Sequence, residues 1–248
     1  MRHLIKILPK KSGRGFGGTV TVRHQGGRVK RFLREIDFKR DKLGIWGKVE
    51  RLEYDPNRNV KIALILYEDG ERRYILAPLG LVEGQKVIAS AKAPLEAGNA
   101  LALKNITTGT IIHNIEIMPG KGGQLVRGAG SAAVLMAKEK DFVLVKLPSG
   151  EVKKFNPDSL ATIGQVGSIE ARNINLRKAG RKRLMGIRPT VRGTAQHPAS
   201  HPHGGGEGRS GVGLKYPKTP YGKPAVGKTR KRSKYSNKLI VKGRKRGR

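Results

Sequence analysis

Between residues 45 and 155 apolar and polar positions follow each other in short blocks, and the blocks predict strands, not helices. Residues 60–67 form a β-rich apolar run and residues 72–76 a second, with Asp69-Gly70 between them. A tight hairpin that follows strand twist needs positive φ at its turn, which Gly supplies without steric cost. Residues 45–54 predict an earlier strand with Gly47 as a bulge, and residues 86–89 a later one. Beyond a Gly-, Ala- and Pro-containing joint at residues 93–98 comes a second series at 110–118, 132–138, 142–147 and 151–155, the last two joined at Pro148-Ser149-Gly150. Short strands at this spacing predict two consecutive barrels of about 60–80 residues each, not βαβ units. Only residues 167–179 carry a helical pattern, and a weak one.

The periodicity stops at the ends. Residues 181–248 hold 16 apolar side chains among 68, with neither strand nor helix period. Such a segment cannot bury enough surface to offset its ordering entropy, so it is expected to order only against a partner. The Gly clusters at residues 13–18, 26–27 and 204–206 let backbone approach a surface closely, as packing between RNA helices requires.

Charge sharpens that division. The 248 residues carry 52 Lys or Arg against 18 Asp or Glu, a formal net charge of +34 with His neutral. Self-repulsion on this scale implies a polyanionic partner, nucleic acid before a membrane surface. Residues 1–40 carry a net +10, residues 41–180 only +5, and residues 181–248 a net +19 with Glu207 as their sole acid. A near-ordinary core therefore lies between two polycationic arms.

Composition removes several classes of function. The chain has no Cys, which excludes disulfide scaffolds, thiolate zinc sites and cysteine nucleophiles. No apolar stretch approaches the ~18 residues that cross a bilayer. The apolar part of residues 1–9 is broken by Lys6 and is too short for a signal-peptide core. The expected location is the cytosol or an organelle interior, away from membrane.

Motif matches were weighed by context. Gly222-Lys223-Pro224-Ala225-Val226-Gly227-Lys228-Thr229 fits the phosphate-binding GxxxxGK[ST] loop, which works only when a buried strand delivers it and a helix closes it. Lys- and Pro-rich sequence precedes it here and a polybasic run follows. Gly13-Arg14-Gly15-Phe16-Gly17-Gly18 fits GxGxxG, but Thr19-Val20-Thr21-Val22 favours a strand where a helix is required. His197, His201 and His203 cluster beside Gly204, Gly205 and Gly206 with no firm fourth metal ligand besides Glu207. The chain also lacks the G-x-S-x-G elbow that an esterase oxyanion loop would need. Contact with RNA is the better account, because neutral imidazole donates, accepts and stacks. In the core, Arg58, Arg72, Arg73 and Arg127 fall at turns or strand ends, where guanidinium groups can meet phosphate bidentately. The 12 aromatics (one Trp, six Tyr and five Phe) are scattered, which favours recognition of folded RNA by shape and phosphate.

Five ordered motifs then carry a resemblance: Tyr54-Asp55-Pro56-Asn57-Arg58; Gly70-Glu71-Arg72-Arg73-Tyr74-Ile75-Leu76-Ala77-Pro78; Pro119-Gly120-Lys121-Gly122-Gly123-Gln124-Leu125; Arg188-Pro189-Thr190-Val191-Arg192-Gly193; and His201-Pro202-His203-Gly204-Gly205-Gly206-Glu207-Gly208-Arg209. Together they closely resemble the large-subunit ribosomal protein two family of bacterial or organellar type, from about Lys11 to the C-terminus. The resemblance implies a mainly β chain in which an OB-fold barrel precedes an SH3-like barrel, with extended basic N- and C-terminal arms. The expected boundaries are 1–33 for the N-terminal arm, 34–97 for the OB-fold RNA-binding domain, 98–173 for the SH3-like barrel and 174–248 for an rRNA-threading tail.

It also implies a structural, non-enzymatic constituent of the large ribosomal subunit. Expected partners are large-subunit rRNA, neighbouring large-subunit ribosomal proteins, the small subunit through an intersubunit bridge and, indirectly, tRNA. The ribosome would be cytoplasmic or organellar. No cofactor, metal or membrane partner is expected. Arg40, Lys42, Arg58 and Arg127 match the family's RNA-contacting positions, and His201 matches its histidine nearest the peptidyl-transferase centre. The rRNA-contacting set extends to Arg72, Arg73, Arg188, Arg192, His203, Gly204, Gly205, Gly206, Arg209, Lys228 and Arg230. Three departures stand out. The chain starts roughly 30 residues later than relatives usually do; His197 and Ser200 replace the usual Asn and Asp; and Leu184 stands where Trp is usual. Two readings from other classes, a P-loop NTPase and a general DNA-compacting protein, remain as competitors to be tested.

Overall fold

The apolar run at residues 60–67 lacks polar alternation because the strand it forms is covered on both faces. The structure is a computed structural model that describes residues 2–226, 230–231 and 233–244. Its N-terminal half contains β1 (Ile5–Ile7), β2 (Phe32–Arg34), β3 (Gly47–Glu53), β4 (Ile62–Tyr67), β5 (Arg72–Leu76) and β6 (Lys86–Val87). Strands β3 to β6 form an antiparallel sheet in the order β5-β4-β3-β6. Successive side chains of a strand point to opposite faces. Ala63, Ile65 and Tyr67 accordingly join Val49, Ile75, Leu81 and Val87 in one core, while Ile62 and Leu64 join Leu4 and Tyr74 in another.

The β4–β5 hairpin turns where Asp69-Gly70 placed it. Tyr67 N–H donates to the Glu71 carbonyl at 3.0 Å, Gly70 N–H donates to Tyr67 at 2.9 Å, and Gly70 takes φ +81°. The bulge in β3 lies between Val49 and Arg51 and not at Gly47. Gly47 answers a different need, since a Cβ there would run into the Ile65 side chain.

The second barrel uses β7 (Ala100–Ala102), β8 (Ile111–His113), β9 (Ile115–Glu116), β10 (Gly123–Leu125), β11 (Ala133–Lys138), β12 (Val143–Lys146), β13 (Val152–Phe155), β14 (Leu160–Ile163) and β15 (Ile240–Lys242). Seven of them form one sheet in the order β15-β13-β12-β11-β8-β14-β7, and β9 pairs with β10. Leu101, Leu103, Ile106, Ile112, Ile115, Leu135, Val145 and Phe155 fill its core. The run at 110–118 makes two strands where one was expected, because Asn114 at φ +49° breaks it. The chain is mainly β, an OB-fold barrel followed by an SH3-like barrel. The helical pattern at 167–179 yields only a 3-10 turn at Ile169–Asn173, and the α-helix is α1 (Ala179–Met185). None of its residues is buried, so it carries no apolar stripe for a periodicity argument to find.

The described residues fall into two compact units, those of 2–8, 30–175 and 238–244 in one and those of 9–29 and 176–237 in the other. Both basic arms are tied off by strand pairing. β1 pairs with β2 (Ile5 opposite Arg34, Ile7 opposite Phe32), which closes the segment between them. β15 pairs with β13 (Lys242 opposite Val152, Ile240 opposite Lys153) and so anchors the far end of the C-terminal arm. The partner that arm was expected to need is in part the N-terminal arm. Gln25 bridges Ile187, Arg188 N–H donates to His24 at 3.0 Å, and Val29 N–H donates to Leu184 at 2.9 Å.

His113 in β8 is a core residue with a pH signature. It is 1% exposed, with Nδ1 2.8 Å from the Gly164 carbonyl oxygen. Burial pushes its pKa down to about 4, the Gly164 hydrogen bond opposes this, and the Arg40 charge adds to the lowering. Because the folded value lies below the unfolded value of ~6.5, the neutral form favours folding, and stability is lost as pH falls from ~6.5 towards about 4. The loss across that window approaches about 3 kcal/mol. His113→Asn keeps a donor near Nδ1 but cannot take a proton. Urea midpoints at pH 7, 5.5 and 4.5 should fall less steeply in the variant than in the parent, and parallel slopes would refute the assignment.

Candidate nucleic-acid interface

Phe38 follows β2 and is fixed by its neighbours' backbone. Asp37 N–H donates to Tyr74 at 2.7 Å, and Gly123 N–H donates to the Phe38 carbonyl at 2.7 Å. Two arginines converge on its ring. Arg58 leaves a turn built on Asp55, whose fully buried carboxylate accepts Asn57 N–H at 2.9 Å and Arg58 Nε at 2.6 Å. Arg127 follows β10 and donates from Nη1 to the Gly123 carbonyl at 3.2 Å. The guanidinium carbons lie 5.7 Å (Arg58) and 4.4 Å (Arg127) from the ring centroid, within cation–π range. Burial lowers the Arg127 pKa, and the charge of Arg58 lowers it further. Two like charges thus share one ring with one carboxylate between them, and a phosphate would relieve the imbalance.

The other core cations are already engaged. Arg40 is 3% exposed at φ +53°. Its Nη1 donates to Gly98 at 3.1 Å, while Nε and Nη2 have no hydrogen-bond partner among the described residues. Half-buried Lys42 pairs with Asp69 and Glu71 and lies 5.0 Å from the Tyr67 ring centroid. Arg73 meets Asp37 at 3.1 Å, Glu71 at 2.7 Å and also Asp41. Against the cost of burial, hydrogen bonds to Glu71, Asp41 and Asp37 raise its pKa. Arg72 pairs with Glu50, at 2.7 Å, on an exposed face. Exposed pairs contribute ~0–1 kcal/mol, so a phosphate can displace Glu50 readily, whereas three carboxylates hold Arg73.

The glycine-rich segment is organised around two imidazoles whose rings are 4.7 Å apart. His201 is 8% exposed, and its Nδ1 accepts His203 N–H at 3.0 Å. His203 Nε2 accepts Lys218 N–H at 2.8 Å. These bonds assign the proton of neutral His201 to Nε2 and that of neutral His203 to Nδ1. Gly204 sits where a Cβ would lie 2.5 Å from the His197 carbonyl oxygen and 2.6 Å from that of Gln196. His197 Nδ1 accepts Ala199 N–H at 3.2 Å, the bond that Asn makes two residues ahead in an Asx-turn. His197 can therefore make the turn bond that an Asn would make at this position.

Arg188, Arg192, Arg209 and Arg230 are exposed, as is Gly206, while Gly204 and Gly205 are partly buried. Arg230 bonds Asn237 at 2.6 Å and Ser236 at 2.8 Å. Lys228 lies outside the described residues. Of the expected residues, the fold brings Arg58 and Arg127 together, links Lys42 with Arg73 through Glu71, and sets the His201 and His203 rings side by side at a 51° tilt. It leaves Arg72 apart and encloses Arg40. Phe38, Asp55 and Glu116 were missed by sequence reasoning. Asp55 stood inside a quoted motif, but nothing in the linear pattern marked the other two.

Glu116 organises the loop beside this site. Its carboxylate, 1% exposed, accepts backbone N–H groups of Gly120 (3.2 Å), Gly122 (2.7 Å) and Leu160 (2.9 Å). Two family models match the chain. Residues 1–89 match the one described as Ribosomal Proteins L2, RNA binding N-terminal domain, and residues 96–222 match the one described as Ribosomal Proteins L2, C-terminal domain.

Proposed function

This chain belongs to the ribosomal protein L2 family, and from that premise we propose that it is a primary rRNA-binding protein that shapes the peptidyl-transferase region. Membership makes it an rRNA-binding structural protein of the large ribosomal subunit. The observation that supports direct rRNA contact is the pair of guanidinium groups over Phe38, a charge-imbalanced site of the kind a phosphate completes. The place at the peptidyl-transferase region rests on the family resemblance of the segment at residues 201–209. Arg58 and Arg127 are its leading rRNA contacts. Arg72, Arg188, Arg192, Arg209 and Arg230 add exposed guanidiniums, while Lys42 and Arg73 reach RNA only by exchanging carboxylate for phosphate. Arg40 holds the surface from within.

In this reading His201, His203 and Gly204 to Gly206 form a compact RNA-facing turn. The chemistry of peptide-bond formation belongs to the RNA, with His201 holding local architecture. Support of subunit association and of tRNA binding, through neighbouring proteins and a bridge to the small subunit, belongs to the same proposal, as does residence on a cytoplasmic or organellar ribosome.

The test is competition at fixed salt. Labelled large-subunit rRNA bound to the full chain should resist a large excess of bulk duplex DNA. Equal displacement by either would favour a general DNA-compacting protein. Binding of ATP with Mg²⁺ that Lys228→Ala abolishes would favour an NTPase. Salt titration alone decides nothing here, because every phosphate-led reading predicts a steep loss of affinity.

A further inference from the structure

One turn design occurs four times among the described residues. In residues 67–71, 147–151, 15–19 and 219–223, the first N–H donates to the fifth carbonyl and the fourth N–H donates back to the first. The fourth residue is Gly each time, at φ +81°, +79°, +76° and +77° for Gly70, Gly150, Gly18 and Gly222. In the barrels the tips carry Glu68-Asp69 and Pro148-Ser149, the polar residues expected at solvent. In the unit made from the two arms the tips carry aromatic rings instead. Phe16 is 113% exposed and Tyr221 81% exposed.

These rings are held out by built structure. An antiparallel bridge closes each turn, Arg14 with Val20 and Lys218 with Pro224. Arg14 Nη1 donates to the Gly18 carbonyl at 2.7 Å, and the space around Gly17, Gly18 and Gly222 is open. The same unit buries none of its four Phe and Tyr rings, for Tyr216 and Tyr235 are also exposed. A Phe left at solvent forgoes the transfer free energy a core ring gains. In sequence, the segments 9–29 and 176–237 that make up the unit carry 21 Lys or Arg and one acid, Glu207.

We infer that Phe16 and Tyr221 are stacking fingers, each presenting its ring to an unpaired nucleobase of the large-subunit rRNA. This rests on the rRNA-binding reading and adds a second mode to it: base stacking in the arms beside phosphate contact on the barrels. An unpaired base offers a flat π-face flanked by phosphates, which matches a ring on a glycine-lined tip among cations. The scattering of aromatics in sequence conceals the arrangement, because the two rings are alike only in the turn that carries them.

The experiment uses the full chain and naked large-subunit rRNA. Phe16→Leu and Tyr221→Leu keep charge and an apolar tip but remove the π-face. Each should weaken binding by about 5- to 150-fold, with no change in the slope of log affinity against log salt. Chemical probing should show one short stretch of unpaired bases losing its protection in each variant, and Phe16→Trp and Tyr221→Trp should restore both readouts. Wild-type affinity and base protection in the Leu variants would overturn the inference. So would unchanged binding to naked rRNA combined with poor incorporation into subunits, since the rings would then dock on a neighbouring protein. Failure of the parent chain to prefer rRNA over duplex DNA would instead remove the underlying reading, and this one with it.

Discussion

Glu116→Gln should lower the unfolding free energy by about 2–4 kcal/mol, a large loss for a change of nearly identical shape. One carboxylate oxygen accepts Gly122 N–H, and the other accepts Gly120 and Leu160. An amide offers one acceptor oxygen and one NH₂ group. In either orientation at least one buried backbone N–H faces a donor, and an unsatisfied buried group costs ~1–3 kcal/mol by itself. The urea midpoint should fall with an unchanged m-value, and Glu139→Gln, at an exposed position, should leave it in place. A Glu116→Gln midpoint equal to the parent's would mean that the loop does not depend on this carboxylate. The loop also touches the interface, because Gly123, which bonds the Phe38 carbonyl, follows immediately.

Arg127→Gln should move folding and binding in opposite directions. Burial and the Arg58 charge both oppose the Arg127 cation, so its removal should leave the thermal midpoint unchanged or raise it. Affinity for large-subunit rRNA should nonetheless drop about 10- to 100-fold, the range of one lost charge-assisted hydrogen bond of ~1.5–3 kcal/mol. Combining it with Arg58→Gln should lower the salt slope by about 1.4–1.8, at ~0.7–0.9 per phosphate contact. The two sites touch one ring, so the affinity losses should not simply add. The Arg58 change alone should cost some stability, since it leaves buried Asp55 without its cation. Binding and slope like the parent's in the double variant would remove both residues from the interface. The split between stability and affinity matters most, because a merely structural arginine would lose both together.

Much of the barrel architecture was legible because its rules are local. The Asp69-Gly70 and Ser149-Gly150 turns and the run at 60–67 each announce themselves within a few residues. Other features are fixed by what they meet. β15 is three residues in a polybasic stretch and is a strand only because β13 offers an open edge. Helix α1 carries Arg181, Lys182 and Arg183 with no buried face, so neither period nor composition marks it. At the interface, sequence supplied the arginines but not their state. Arg40, Lys42 and Arg73 read as free cations until their carboxylates, carbonyl and rings appear around them. Phe38 is an unremarkable residue between Asp37 and Lys39 until Arg58 and Arg127, both distant in sequence, arrive at its faces.

The pairings of β1 with β2 and of β15 with β13 have a consequence for the order of ribosome construction. A cord with a loose end can be pulled through a gap in an RNA that has already folded. A loop closed at its base enters only as a doubled chain, so it needs a wider gap or an RNA that closes around it. If the arms enter rRNA, as the family resemblance implies for the C-terminal tail, chronology is set by topology more than by affinity. The protein would then seat most readily while the surrounding RNA is still open, and a copy supplied afterwards would meet a barrier that tight binding does not lower.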